Sequence, residues 1–199
     1  MSLSIRCLHT RPDLIVSCSN LLKSVWPCSR IERLQHLENE NCTGFPCSLV
    51  LIDHGENRPD SVIGHFRIVP VKFPIQPNSV YLEAGCVDKS RQLEGLYKQM
   101  LNFADKYAFE TLECQQIFAW ILKNSITFFK RGGFVECPDF TVRAVGANAL
   151  EPFGTPRFWT KDTPPPDNLK FAPDGFIITK DALLNTVMMK KTFRTKMEL

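Results

Sequence analysis

The sequence predicts a mixed α/β fold, a central mixed β-sheet flanked by helices. Three observations predict it. Apolar strand-like runs alternate with stretches of helical periodicity along most of the chain. A helical stretch, Leu93–Tyr107, lies between two strand-like runs and can serve as the crossover that parallel strands need. A hydrophobic content of 44% over 199 residues, with fifteen Phe and three Trp, is ample for one buried core.

Ile5–Thr10 reads as a short first strand. Pro12 suits a first helical turn and Asp13 adds favourable charge there. Leu14, Ile15, Cys18, Leu21, Leu22 and Val25 then recur at helical spacing as far as Trp26, and Pro27 breaks the helix. Ser29 with Glu32 forms a capping box for a second helix, whose apolar face is Ile31, Leu34 and Leu37. Cys47–Ile52 is a buried strand, His54–Asn57 is turn chemistry, and Val62–Val69 is the next strand. Three prolines between Pro70 and Asn78 mark a loop. Strand Ser79–Val87, the helix Leu93–Tyr107, a strand within Leu112–Ile121, a helix Ser125–Arg131 and a strand Phe134–Ala144 follow. Residues 1–145 thus form the predicted domain. Residues 146–199 are a Pro-rich loop and C-terminal extension, in which Gly175–Ile178 can add a strand.

Composition excludes several classes. A net charge of +3 is too small for a nucleic-acid surface, and no apolar run reaches the ~18 residues that cross a bilayer. Lys190, Lys191, Arg194 and Lys196 form a basic cluster near the end. It reads as a solvated tail, the alternative being contact with an acidic partner. Eight cysteines without a Cys-x-x-Cys pair or a signal peptide read as reduced, mostly buried thiols of a cytoplasmic protein, and no metal site is expected. Asn41–Cys42–Thr43 matters as a glycosylation sequon only in a secreted protein.

The residues with most to say are 79–134. Gly85 interrupts a strand, as a bulge or a close backbone approach requires, or as a packing glycine. Gly95 stands where a helix begins, and free N–H groups there can receive an anion. Glu83 is an acid among alternating apolar positions, a general base or water relay, or else a satisfied structural carboxylate.

Gln92–Leu93–Glu94–Gly95–Leu96–Tyr97 resembles the Arg/Gln-x-x-Gly-x-Gly/Ala loop of GNAT acyltransferases, and Phe128–Phe134 resembles their Phe-Tyr-x-x-x-Gly-Phe. More narrowly, Arg11–Leu14, Trp26–Leu34 and Val62–Ile68 resemble segments of the N-alpha-acetyltransferase family that modifies processed actin. The resemblance runs in order from about residue 9 to residue 145. It implies a GNAT-like fold, acetyl-CoA as donor and an acidic protein N-terminus, most simply that of actin, as acceptor.

Acetyl transfer needs an anion site for the pyrophosphate, loss of a proton from an ammonium with a pKa of about 8, backbone donors for the oxyanion, and an acid for the thiolate. The resemblance assigns Gly85, Cys86, Val87, Gln92, Leu93, Glu94, Gly95, Leu96, Tyr97 and Phe129 to acetyl-CoA. Glu83 is the catalytic candidate. Trp26, Cys28, Arg30, Arg33, His36 and Arg67 face the acceptor, with Arg30 and Arg33 pairing to its carboxylates. Trp26 alternatively packs a helix junction, and His65 reads more readily as a satisfied core histidine.

The chain also departs from the family. Leu93 replaces a frequent Gly, Glu94 brings a negative charge, Tyr97 replaces a small residue, Phe129 lacks the phenol of a Tyr, and Cys28 stands where relatives tend to be basic. A catalytically silent module that binds an acidic partner is therefore the alternative function. Pro164–Pro165–Pro166 is short beside the long Pro-rich tracts through which the family recruits profilin, so profilin is a doubtful partner.

Overall fold

The computed structural model describes residues 2–26, 37, 47–71, 78–137, 141–143, 157–159 and 186–193. Its main sheet is seven-stranded and mixed, in the order β1 (Ser2–Cys7), β2 (Cys47–His54), β3 (Ser61–Pro70), β4 (Ser79–Val87), β5 (Gln116–Leu122), β9 (Thr186–Thr192) and β6 (Val135–Glu136), and β7 (Thr141–Arg143) pairs with β8 (Arg157–Trp159) separately. By chain contacts it divides into two compact units, Met1–Val69 with Glu83–Lys106, and Pro70–Leu82 with Tyr107–Leu199.

In the first unit, β1 (Ser2–Cys7) is antiparallel to β2 (Cys47–His54), with Ser2 opposite His54 and Ser4 opposite Ile52. The strand thus begins three residues before the expected Ile5, and Leu8–Thr10 is a 3₁₀ turn instead of strand. Its reversal is local: the Thr10 hydroxyl donates to the Cys7 carbonyl (2.7 Å) and Arg11 N–H to the Leu8 carbonyl (2.8 Å). Pro12–Leu14 makes a second 3₁₀ turn, led by a proline whose missing N–H costs nothing there. Helix α1 (Ile15–Val25) continues from it and stops where Trp26 turns extended. Strand β2 is buried at all but its last residue and pairs antiparallel with β3 (Ser61–Pro70), the register shifting between Leu51 and Ile52.

The core of this unit collects the predicted α1 stripe. Leu14, Cys18, Leu21 and Leu22 pack with Leu8, Val50, Ile52, Val62 and Cys86. Leu37 joins them as a buried helical residue, and Trp26 packs against the cluster. The rest of the capping-box helix lies outside the described residues.

Strand β4 (Ser79–Val87) agrees with the expected bounds. Its last five residues belong to the first unit, as does helix α2 (Leu96–Lys106), which begins three residues later than expected and buries Leu96, Met100, Leu101 and Ala104.

In the second unit, Ser79–Leu82 of β4 runs parallel to β5 (Gln116–Leu122). A π-helical turn, Tyr107–Thr111, precedes β5 and starts it four residues later than Leu112. Helix α3 is Ile126–Arg131. The predicted strand 134–144 is described as two pieces, β6 (Val135–Glu136) and β7 (Thr141–Arg143), and β7 pairs with β8 (Arg157–Trp159).

The C-terminal basic cluster is the clearest correction. Thr186–Thr192 is β9, paired antiparallel with β5 on one side and β6 on the other. Lys190 and Lys191 are therefore half-buried residues of an interior strand, not of a solvated tail. Met188 and Met189 are buried, and the Lys191 ammonium lies 5.8 Å from the Phe134 ring centroid and 5.7 Å from that of Phe193. A two-neighbour strand tolerates a lysine when its stem packs and its charge rests on aromatic faces, as that of Lys191 does. Gly175–Ile178, the expected last strand, lies outside the described residues.

The six described cysteines are buried to the extent expected, Cys28 and Cys42 lying outside the described residues. Cys18, Cys47, Cys86, Cys114 and Cys137 are buried thiols and Cys7 is half-buried. Burial pushes the Cys114 thiol up to about 11, so it carries little thiolate at neutral pH.

Candidate functional site

Within the first unit, β3, the end of β4 and the start of α2 meet around Gly85. A Cβ there would lie 2.3 Å from Phe66 Cε1 and 2.9 Å from the Tyr97 hydroxyl oxygen, so any side chain at this position must displace the ring pair. Phe66 and Tyr97 themselves stack edge to face, centroids 5.0 Å apart. Gly85 is thus a close-approach glycine. The left-handed residue of the strand is its neighbour Ala84, at φ 48°. That turn directs the Ala84 carbonyl to His65 Nδ1 (2.9 Å), while His65 Nε2 meets the Ser48 hydroxyl (3.1 Å). His65 is 1% exposed and is the satisfied core histidine of the sequence reading.

Glu83, the residue before the kink, accepts from Arg67 Nη1 at 2.8 Å. The guanidinium is 4% exposed and the carboxylate 21%. The structure therefore brings together two residues that the sequence analysis assigned to different tasks, the catalytic and the acceptor side. Such a pair neutralises a buried arginine, and it commits one carboxylate oxygen to doing so.

The loop after β4 is built from its own polar groups. Asp88 accepts from the Ser90 N–H (2.8 Å) and hydroxyl (2.6 Å), closing a 3₁₀ turn over Lys89–Arg91. The chain then takes positive φ twice, at Leu93 (70°) and Gly95 (74°). Gly95 meets that demand freely, with open space where a Cβ would be. Leu93 adopts the same region at a cost of about 1 kcal/mol, its side chain fully in solvent. The leucine thus does not prevent the loop from turning as a glycine would. Helix α2 starts at once, with Gln99 N–H bonding to the Gly95 carbonyl (3.2 Å) and no acidic residue in its first turn. The N–H groups ahead of Gln99 belong to the helix start and point toward the loop, an arrangement suited to an anion.

Glu94 does not spoil that polarity. It is turned onto Arg91, accepting from Nε (2.7 Å) and Nη2 (2.8 Å). Arg91 also reaches the buried Asp53, Nη1 to Oδ2 at 2.9 Å, and Asp53 takes a further bond from Arg58 Nη2 at 2.7 Å. Two arginines and two carboxylates thereby tie the loop to the end of β2 with no net charge. This network escaped the sequence reading. The i, i+3 spacing of Arg91 and Glu94 was its only legible sign, since Asp53 lies 38 positions from Arg91.

Tyr97, expected as bulk at a phosphate site, has its hydroxyl over Gly85. Burial, with a contribution from Cys86, pushes the phenol well above its usual value, so it is a neutral donor at any physiological pH. Cys86, Val87 and Leu96 are buried and Gln92 is exposed. Phe129 belongs to the second unit, buried edge-on to Phe128 (5.6 Å) and Phe134 (5.2 Å). Cys28, Arg30, Arg33 and His36 lie outside the described residues.

Four carboxyls of the first unit titrate low, each for a local reason. The Arg11 guanidinium holds down Asp13, Arg11 and then His54 hold down Asp60, Ser90 holds down Asp88, and Arg91 holds down Glu94. The folded state thus binds protons more weakly than the unfolded chain, whose carboxyls titrate near ~4. The stabilisation is complete above that value and disappears as pH falls through the folded pKa values. Scanning calorimetry should find a midpoint that is level from neutral pH to about pH 5 and that drops below ~4. Arg11→Gln should melt lower than wild type at neutral pH and converge with it in acid.

No family model matches the sequence. In a curated mouse protein, N-alpha-acetyltransferase 80, 101 residues are 29% identical to this chain, a stretch covering 49% of the chain and 31% of that protein. The chain thus spans about a third of the length of the curated relative it matches. Among solved structures, a GNAT-family acetyltransferase from Streptococcus pneumoniae superposes with a TM-score of 0.61 at 13% identity, covering 96% of this chain and all of that one. The fold is that of the GNAT acetyltransferases. The ribosomal-protein-S18-alanine N-acetyltransferase of Escherichia coli gives 0.58 at 12% identity over 99% and 97% of the two chains. The spermidine N-acetyltransferase of Vibrio cholerae, solved with CoA and spermine, gives 0.58 at 15% over 96% and 95%. The GNAT fold accounts for the seven-stranded mixed sheet and for the strand, loop and helix start around Gly85. Among the described residues, no helix is long and apolar enough to cross a membrane.

Proposed function

We propose that this chain is an acetyl-CoA-dependent acetyltransferase that modifies a protein N-terminus, with acidic N-termini such as that of processed actin as its acceptors. The observation that carries the reading is the loop from Asp88 to Gly95. It takes positive φ at Leu93 and Gly95, opens directly into α2, and has its one added acid, Glu94, neutralised by Arg91. Leu96, Tyr97 and Lys98 would offer their backbone N–H groups to the pyrophosphate of the donor. When bound, acetyl-CoA supplies the activated thioester. The N-terminal acceptor is supported by the similarity to N-alpha-acetyltransferase 80 and by Arg30 and Arg33, a turn apart in the sequence.

One observation favours a second reading, a silent GNAT-fold module that binds an acidic partner. The Tyr97 hydroxyl fills the space over Gly85, beside the strand along which the donor reading needs room. The two readings separate in one titration. Acetyl-CoA should raise the melting midpoint of the wild type, because a ligand of the folded state alone stabilises it. Intact-mass analysis should then show one added acetyl group on an Asp- or Glu-initiated peptide. Tyr97→Gly should strengthen the donor shift if the phenol obstructs the site. No shift with millimolar acetyl-CoA in either protein rejects the donor site. A shift without peptide acetylation leaves the binding module.

A further inference from the structure

Away from the Gly85 region, the first unit has a cavity of about 750 Å³ along the edge strand β1, lined by Ser2, Ser4, Arg6, Thr10, Arg11 and His54 among others. None of its lining residues is acidic. Its position follows from strand register. Ser2 and Ser4 lie on one face of β1, and Ser2 stands opposite His54 at the end of β2, so Ser4 is the diagonal neighbour of the imidazole.

That geometry produces a relay. His54 Nδ1 is 3.0 Å from Asp60 Oδ2, and His54 Nε2 is 2.7 Å from the Ser4 hydroxyl oxygen. Arg11 Nη2, itself bound to Asp13, holds the same Asp60 oxygen at 2.9 Å. Arg11 and then His54 hold the Asp60 carboxyl below its usual range, and in the tautomer that donates from Nδ1 to that carboxylate the Nε2 lone pair faces the Ser4 hydroxyl. A hydroxyl on a base, and that base on an orienting carboxylate, is the arrangement that activates a serine. The imidazole is about one-third exposed, so a substrate can reach it.

We propose that Ser4, His54 and Asp60 form a second reactive centre, in which Ser4 takes acyl groups from small esters bearing a negative charge. The Ser4 oxygen attacks the ester carbonyl carbon while its proton passes to His54 Nε2. The tetrahedral adduct expels the alcohol, which leaves with that proton, and Ser4 holds the acyl group as an ester. Water then attacks this ester, gives a proton to Nε2, and releases the carboxylic acid as Ser4 regains its hydrogen. Asp60 fixes and balances the imidazolium in both halves. Arg6, exposed at the cavity wall, supplies the positive charge that selects an anionic ester over a neutral one, Arg11 being committed to Asp13 and Asp60.

The test uses the full chain and a fluorophosphonate carrying a reporter group. Peptide mapping should find the label on Ser4, at a rate at least tenfold above that of Ser4 in His54→Gln. Asp60→Asn, which keeps the imidazole but loses its orienting acceptor, should show a comparable loss and guards against a folding defect in the first variant. The hemisuccinate ester of p-nitrophenol should turn over faster than its acetate, with the preference reduced in Arg6→Gln. Ser4→Ala should lose both the label and the turnover while keeping any thermal shift with acetyl-CoA, which separates this centre from the loop at Gly95. An unlabelled Ser4, or labelling indifferent to both His54→Gln and Asp60→Asn, overturns the proposal.

Discussion

Glu83→Gln lowers the unfolding free energy by about 3 kcal/mol in urea denaturation, a larger effect than its exposure alone suggests. The carboxylate is 21% exposed, yet its partner Arg67 is 4% exposed and cannot follow it into water. Removing the negative member leaves a buried guanidinium without that neutralisation, and breaking such pairs costs on the order of 3–5 kcal/mol. The double variant Arg67→Met with Glu83→Met should regain most of the loss, since a buried pair is often replaceable by apolar groups of similar volume. An additive double variant would mean that the two side chains do not act on each other. The same series bears on chemistry. If Glu83 receives the acceptor's proton, Glu83→Gln lowers kcat by ~10²–10⁴ while the melting shift with acetyl-CoA remains. If it only neutralises Arg67, turnover per folded molecule is unchanged.

Gly85→Val should be the other severe substitution. The first added carbon already falls 2.3 Å from the ring of Phe66, a residue only 2% exposed. Overpacking of this kind costs about 1–3 kcal/mol, with Ala near the lower end and Val at or above the upper. Phe66→Leu should relieve Gly85→Ala in part, because it removes the nearest atoms, whereas Tyr97→Phe, which removes only the hydroxyl, should relieve it less. Equal stability of Gly85→Ala and wild type would show that β4 moves away from the ring pair at little cost.

These residues also mark how far the sequence could be read. The α1 stripe, β2, β3 and the bounds of β4 were legible because each depends on neighbours three, four or two positions away. Gly95 at the helix start was legible as turn chemistry, whereas the Asp88–Ser90 bonds were not, and the expected helix began three residues early, at Leu93. The Arg67–Glu83 pair was not legible either. Its members are sixteen positions apart and meet only because β3 and β4 lie side by side, so the sequence sorted one to catalysis and the other to the acceptor. Lys190 and Lys191 misled in the opposite way. These two of the four nearby basic residues look like part of a solvated end until β5 and β6 take up the hydrogen-bonding edges of their strand, Arg194 and Lys196 lying outside the described residues.

Local spacing, then, settled the class of fold and marked Gly85 and Gly95 as positions where the backbone does something unusual, because periodicity and turn chemistry are properties of adjacent residues. Tertiary structure alone decided which charges meet: Asp53 with Arg58 and Arg91, Arg67 with Glu83, Ser4 with His54 and Asp60. Charged and hydroxyl side chains carry no period of their own. Their partners are chosen by strand register and by what remains out of reach of water.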